Sequence, residues 1–176
     1  MTGRIPAILY AQSVSSTKER TRRFGSLDHV AKDLFGVGRA SPALWRVFRG
    51  GISPDLRERI MVGVSRANAC AGCTRAHQRL ALRTGVTNAE LESIGLGDLA
   101  RLDEPSRAAI VYAVERSGAA FPGPAGAPST DPDVAAAMTR HFSPEETGQV
   151  DAIARLITFA NLSVGSVEAL HERLRG

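Results

Sequence analysis

The part of this chain that most constrains its fold is residues 56–77, LRERIMVGVSRANACAGCTRAH, which hold both of its cysteines. Cys70 and Cys73 form a C-x-x-C, His77 follows Cys73 by four residues, and Glu58 precedes Cys70 by twelve. On a helix, residues three, four and seven apart share a face, so Cys70, Cys73 and His77 point into one small volume. Upstream, Ile60, Met61, Val62 and Val64 are apolar nearly all round, which predicts a helix buried on several sides. Glu58 projects with Met61, Val62 and Ser65 toward that flank, where a carboxylate needs a partner or takes a raised pKa. A salt bridge to Arg57, Arg59 or another basic residue is the plain reading; His77 in the same frame is the functional one.

Two thiols and a base on one face suit redox chemistry. A thiol attacks a peroxide or a disulfide only as the thiolate, and a free cysteine with pKa about 8.5 is mostly protonated at neutral pH. A histidine one turn away takes the proton, a carboxylate fixes its tautomer, and the amides of a helix N-terminus stabilise the sulfur anion. The second cysteine then resolves a sulfenic acid or mixed disulfide into an internal disulfide. Asn68 is a weak helix former and a good cap, so a break there, with a new helix from Ala69 or Cys70, sets the thiols at a positive helix end.

Zinc is the main competitor. Cys70, Cys73 and His77 are three plausible ligands and Glu58 a fourth, but a second C-x-x-C or H-x3-H is missing. Thioredoxin-like chemistry lacks the βαβ pattern it needs around the motif. A helical interaction protein with the cysteines as small buried hydrophobes leaves the placement of the histidine and glutamate unexplained. Arg66 and Arg75 flank the motif, either lowering a thiol pKa or standing as solvated surface charges. His141 and His171 have no such neighbours and read as surface or capping residues.

The spacing Glu58, Cys70, Cys73, His77, written E-x11-C-x2-C-x3-H and followed by RLALRTGVTNAELESI, resembles the core of the alkylhydroperoxidase D (AhpD-like) and carboxymuconolactone decarboxylase superfamily. The resemblance is firm over residues 53–96 and weaker over 105–174, where FANLSVGSVEAL is similar to the last core helices of the family; residues 1–50 carry none of it. Ala71 and Gly72 stand between the cysteines, where the alkylhydroperoxidase has a histidine and many relatives an aromatic. The resemblance implies an all-α bundle, homo-oligomeric, whose dithiol reduces peroxides and is itself reduced by a lipoamide-type or thioredoxin-type protein. By position it implies that Cys73 attacks the peroxide, Cys70 resolves, and Glu58 with His77 relays protons, with no metal or organic cofactor. A decarboxylase of the same superfamily does without both thiols.

Composition agrees with a helical domain. The chain has 176 residues, 43% of them apolar and only 5% aromatic, and is rich in Ala, Leu, Val and Arg. Twenty-two basic residues against 18 acidic give a net charge of +4, a modest excess, spread along the chain, that argues against nucleic acid as partner. Its densest patch, residues 18–23 (KERTRR), reads as a solvated surface or arm. No unbroken apolar run reaches the ~20 residues that span a bilayer, and residues 5–11 are too short and poorly flanked for a secretory signal. A cytoplasmic location is therefore expected, where a cysteine pair serves redox or metal chemistry rather than a structural staple.

In chain order, residues 1–50 are expected as a basic arm with covering helices and 51–176 as the helical core. Ser26 caps a helix with Val30, Leu34 and Phe35 inward, ending near Gly36 or Gly38. Ser41-Pro42 starts a short helix that packs Leu44, Trp45 and Phe48 inward, Trp45 as a core residue. Ser53-Pro54-Asp55 opens the buried helix. The dithiol helix runs to Gly85, and Thr87-x-x-Glu90 is a capping box. Asp103-Glu104-Pro105 begins a helix ending at Gly118. Residues 119–133, rich in Pro and Gly, form a loop. A short Ala-rich helix to Arg140 follows, then a helix from the capping box Ser143-Pro144-Glu145-Glu146, and a basic amphipathic piece at 167–175.

Overall fold

The computed structural model describes residues 22–119 and 132–175. The basic arm up to residue 21 and most of the expected loop, residues 120–131, lie outside the described residues. The described chain is all-α, with eight helices: α1 (Leu27–Arg39), α2 (Ser41–Phe48), α3 (Pro54–Ala67), α4 (Ala71–Arg83), α5 (Asn88–Leu96), α6 (Glu104–Ala119), α7 (Pro132–His141) and α8 (Pro144–Arg175). A 3-10 turn, Leu99–Arg101, links α5 to α6.

Local capping chemistry explains most of the helix starts. Pro54 opens α3, where its missing N–H costs nothing because first-turn amides have no partner inside the helix. The Thr87 hydroxyl accepts from the Glu90 amide while the Glu90 carboxylate accepts from the Thr87 amide, and Ser143 and Glu146 repeat that exchange at the start of α8. Ser26 accepts from the His29 amide at the start of α1. Gly85, at φ +95°, turns the chain out of α4.

The helix α3 sits at the centre, packed against α4, α5, α6 and α8. Every residue from Ile60 to Ser65 is buried, as a helix apolar on nearly all sides requires. The long α8 lies against α1, α2, α3 and α6, and one continuous core gathers Ile60, Val62 and Val64 of α3 with Ile110 of α6 and Val150, Ile153 and Ile157 of α8. Arg116, buried in α6, ties α8 through Asp151 at 2.7 Å.

Four expectations need correction. Trp45 is 60% exposed and Phe48 58% exposed, because α2 turns Leu44 and Val47 inward instead. Leu34 and Phe35 are likewise exposed, while Val30 and Val37 are half-buried and Gly36 buried; α1 packs against α8 and continues through both glycines to Arg39. The outward rings carry guanidinium groups, Arg39 over Phe35, Arg49 over Trp45 and Arg57 over Phe48. Finally, residues 167–175 are no separate piece but the end of α8, since Gly165 is buried within an unbroken helix. Continuous over 32 residues, α8 is long and apolar enough to cross a membrane, and half of its most apolar window is buried inside the fold.

Two glycines permit close approaches. A Cβ on Gly51 would fall 2.0 Å from Gln149 Oε1, the buried acceptor of the Ile52 amide. A Cβ on Gly63 would fall 2.8 Å from Ile110 Cγ2, where α3 meets α6 in the core. Overpacking of this kind costs about 1–3 kcal/mol, so Gly63→Ala is expected to destabilise the protein by that amount in urea unfolding. In an Ile110→Ala background the added methyl has room, and the cost of Gly63→Ala is expected to fall below half its value in the parent.

Candidate functional site

The site is built at the corner between α3 and α4. Asn68 caps the end of α3, Ala69 turns the chain with φ +55°, and Cys70 caps the start of α4. The break falls at Asn68 as expected, and the new helix starts at Ala71, one residue beyond the expected range. A left-handed alanine costs about 1–2 kcal/mol, and the surrounding hydrogen bonds hold it there. The Cys70 amide donates to the Ser65 carbonyl at 3.0 Å, and both the amide and the hydroxyl of Thr74 donate to the Cys70 carbonyl at 2.9 Å.

Cys70 and Cys73 are joined as a disulfide, with 5.3 Å between their Cα atoms. The two sulfurs are not equivalent. Cys70 is 1% exposed, and its Sγ accepts the Cys73 amide at 3.4 Å, at the positive end of α4. Cys73 is only half-buried. A thiolate arriving from solvent therefore meets Cys73 first, and the sulfur it displaces, Cys70, leaves as an anion that the helix end stabilises.

Glu58 comes from the second turn of α3 and is 3% exposed. His77 Nδ1 donates to its Oε2 at 2.9 Å, and Arg57 Nε donates to its Oε1 at 3.0 Å. Burial by itself pushes the Glu58 carboxyl up, but the hydrogen bonds and charges of His77 and Arg57 more than reverse this, leaving it below the usual carboxylate range. Glu58 thus has both partners at once, a salt bridge on one oxygen and the histidine on the other. The alternative of a raised pKa does not hold. An ionised Glu58 fixes His77 with its hydrogen on Nδ1, so Nε2 is left free to accept one.

The structure brings the four motif residues to one corner. Arg66 and Arg75 are exposed, and Arg66 Nε donates to the Gly95 carbonyl. His171 is exposed, while His141 is half-buried, 3.4 Å from Glu104. No group of three or more His, Cys, Asp or Glu side chains arranged to hold a metal occurs among the described residues. Several supporting residues went unread in the sequence. Arg22 donates from its amide and its guanidinium to the Asn68 carbonyl and side-chain oxygen, at 3.1 and 2.9 Å. Behind Cys70, the buried Ser65 hydroxyl donates to Asn161 of α8 at 3.3 Å.

Comparison with known proteins finds one family to which this corner is similar. Residues 40–114 match the model of the Carboxymuconolactone decarboxylase family. The match begins before residue 50, where no resemblance was read, and takes in α2 through most of α6. No curated protein and no solved structure matches the chain. Glu58, the cysteine pair and His77 all lie inside the matched segment, so over residues 40–114 the chain is similar to the carboxymuconolactone decarboxylase family, the family that includes the AhpD-like proteins.

Proposed function

We propose that the protein is a dithiol oxidoreductase of the AhpD-like kind, reducing hydrogen peroxide or alkyl hydroperoxides through the Cys70–Cys73 pair. The observation that carries this reading is the asymmetry of the pair beside a buried Glu58–His77 hydrogen bond. In the reduced protein, His77 takes the Cys73 proton and the thiolate attacks the terminal peroxide oxygen. The O–O bond breaks, Cys73 becomes a sulfenic acid, and the departing alkoxide or hydroxide takes its proton from His77. Cys70 then attacks the Cys73 sulfur, releasing water and closing the disulfide. Two thiols and one hydroperoxide yield one disulfide, one alcohol and one water.

A separate thiol reductant, of lipoamide or thioredoxin type, reopens the bridge by attack on Cys73. A cytoplasmic setting, with its reducing pool, suits such a cycle, and the chemistry calls for no metal or organic cofactor. The outward Phe35, Trp45 and Phe48 support self-association into a homo-oligomer.

The test is a thiol count on the reduced protein before and after one equivalent of peroxide, with zinc assayed on the same sample. Loss of both thiols, restored by dihydrolipoamide and without zinc, is the expected result. Two unreactive thiols with stoichiometric zinc overturn the proposal in favour of a metal-stabilised helical domain.

A further inference from the structure

Neighbouring residues on a helix point about 100° apart and do not ordinarily meet. Arg57 nevertheless reaches Glu58, the residue next to it, through Nε at 3.0 Å. The cause lies in α2. Phe48, its last residue, sets its ring 5.2 Å from the Arg57 guanidinium carbon. The ring stands mostly outside the core, so packing alone does not account for its place. Seated on that ring, the Arg57 side chain is only 19% exposed and turns its Nε edge to the carboxylate.

We propose that Arg57 is a positioning residue for the Glu58–His77 pair: held by Phe48, it occupies Glu58 Oε1, leaves Oε2 to His77 Nδ1, and supplies the fixed positive charge that keeps the buried carboxylate ionised as the acceptor of the His77 hydrogen bond. The inference rests on the dithiol reading of the site. A carboxylate removed from water is stable only beside compensating charge. His77 cannot be that charge throughout, because it loses its proton in the course of the relay, whereas a guanidinium never does. Arg57 and His77 of α4 are the charged or titratable groups that act on Glu58. On the other helices packed against α3, Glu90 of α5 pairs with Arg59, and Arg116 of α6 pairs with Asp151 of α8.

The experiment compares reduced wild type with Arg57→Met, Arg57→Lys and Phe48→Leu. The Glu58 carboxyl carbon is followed by NMR against pH, alongside the pH profile of thiol alkylation by iodoacetamide. In Arg57→Met the carboxyl is expected to titrate at least about one pH unit higher, which is tenfold in proton affinity. Alkylation is then expected to slow at the acid end of the profile, about twofold where the shifted carboxyl is half protonated and more below that, and to be little changed near pH 8. Arg57→Lys keeps the charge without the Nε geometry and is expected to fall between the two. Phe48→Leu, which leaves every charge in place, is expected to move both readouts the same way by a smaller amount. A Glu58 titration unmoved in Arg57→Met, or alkylation lowered equally at all pH values, overturns the inference. If these shifts occur but peroxide is not consumed, the peroxidase reading fails and the role of Arg57 stands; peroxide consumption without the shifts gives the reverse.

Discussion

Cys73→Ser is expected to lose peroxide turnover by a factor on the order of 10³ or more, the scale on which removing a nucleophile acts. A serine hydroxyl neither ionises near neutral pH nor forms a disulfide, so both halves of the cycle stop. Cys70→Ser is expected to behave differently. Its Cys73 remains the less buried of the two cysteine positions, one helical turn before His77 on α4, so one equivalent of peroxide should be consumed and a sulfenic acid left at Cys73, trappable with dimedone. Mass spectrometry of the two variants reads the order of attack directly. A dimedone adduct on Cys70 in Cys73→Ser, with none on Cys73 in Cys70→Ser, reverses the assignment of the two sulfurs.

Glu58→Gln is expected to lower the rate of disulfide formation by about 10², the lower end of what a general acid–base group contributes. The amide is nearly isosteric and still accepts from Arg57, but its NH2 now faces His77 Nδ1. The imidazole must accept there, which moves its hydrogen to Nε2 and removes the free acceptor that the relay requires. Glu58→Gln with an unchanged rate removes the relay while leaving the dithiol chemistry intact. The variant also has a signature in stability. The folded-state pKa of Glu58 lies below its ordinary value of 4.5, so its ionised form stabilises the fold fully above about pH 4.5, and that contribution disappears as pH falls through the lower, folded-state pKa. The melting temperature of wild type is therefore expected to fall on acidification more steeply than that of Glu58→Gln.

Much of this site was legible because it is local. The interval from Cys70 to His77 lies within a few helical turns, and the caps at Pro54, Thr87 and Ser143 depend on neighbours three residues away. Glu58 was legible for a different reason, as an acid projecting toward the apolar flank of its helix. What remained hidden needs a partner far along the chain. Nothing near Asn68 announces Arg22, and nothing near Ser65 announces Asn161. Arg57 was legible as one candidate salt-bridge partner of Glu58, but its seat on Phe48 of α2 was not. The short helices misled for the same reason, since α2 carries apolar side chains on two flanks, and the decision that Val47 rather than Trp45 faces inward belongs to α8. Residues 167–175 read as a separate closing piece, yet they continue α8, with Gly165 buried within that single helix.

Trp45 has a practical consequence for the experiments above. It is the sole tryptophan, mostly in water, with the Arg49 guanidinium carbon 4.3 Å from its ring. Its emission in the native protein is therefore expected to lie close to that of an unfolded chain, leaving fluorescence a poor monitor of denaturation. Stability measurements on Gly63→Ala and Glu58→Gln should follow helical circular dichroism instead. The same indole is a sensitive optical reporter for anything that covers the outer face of α2, because its quantum yield and emission wavelength respond as water and the guanidinium are displaced from it.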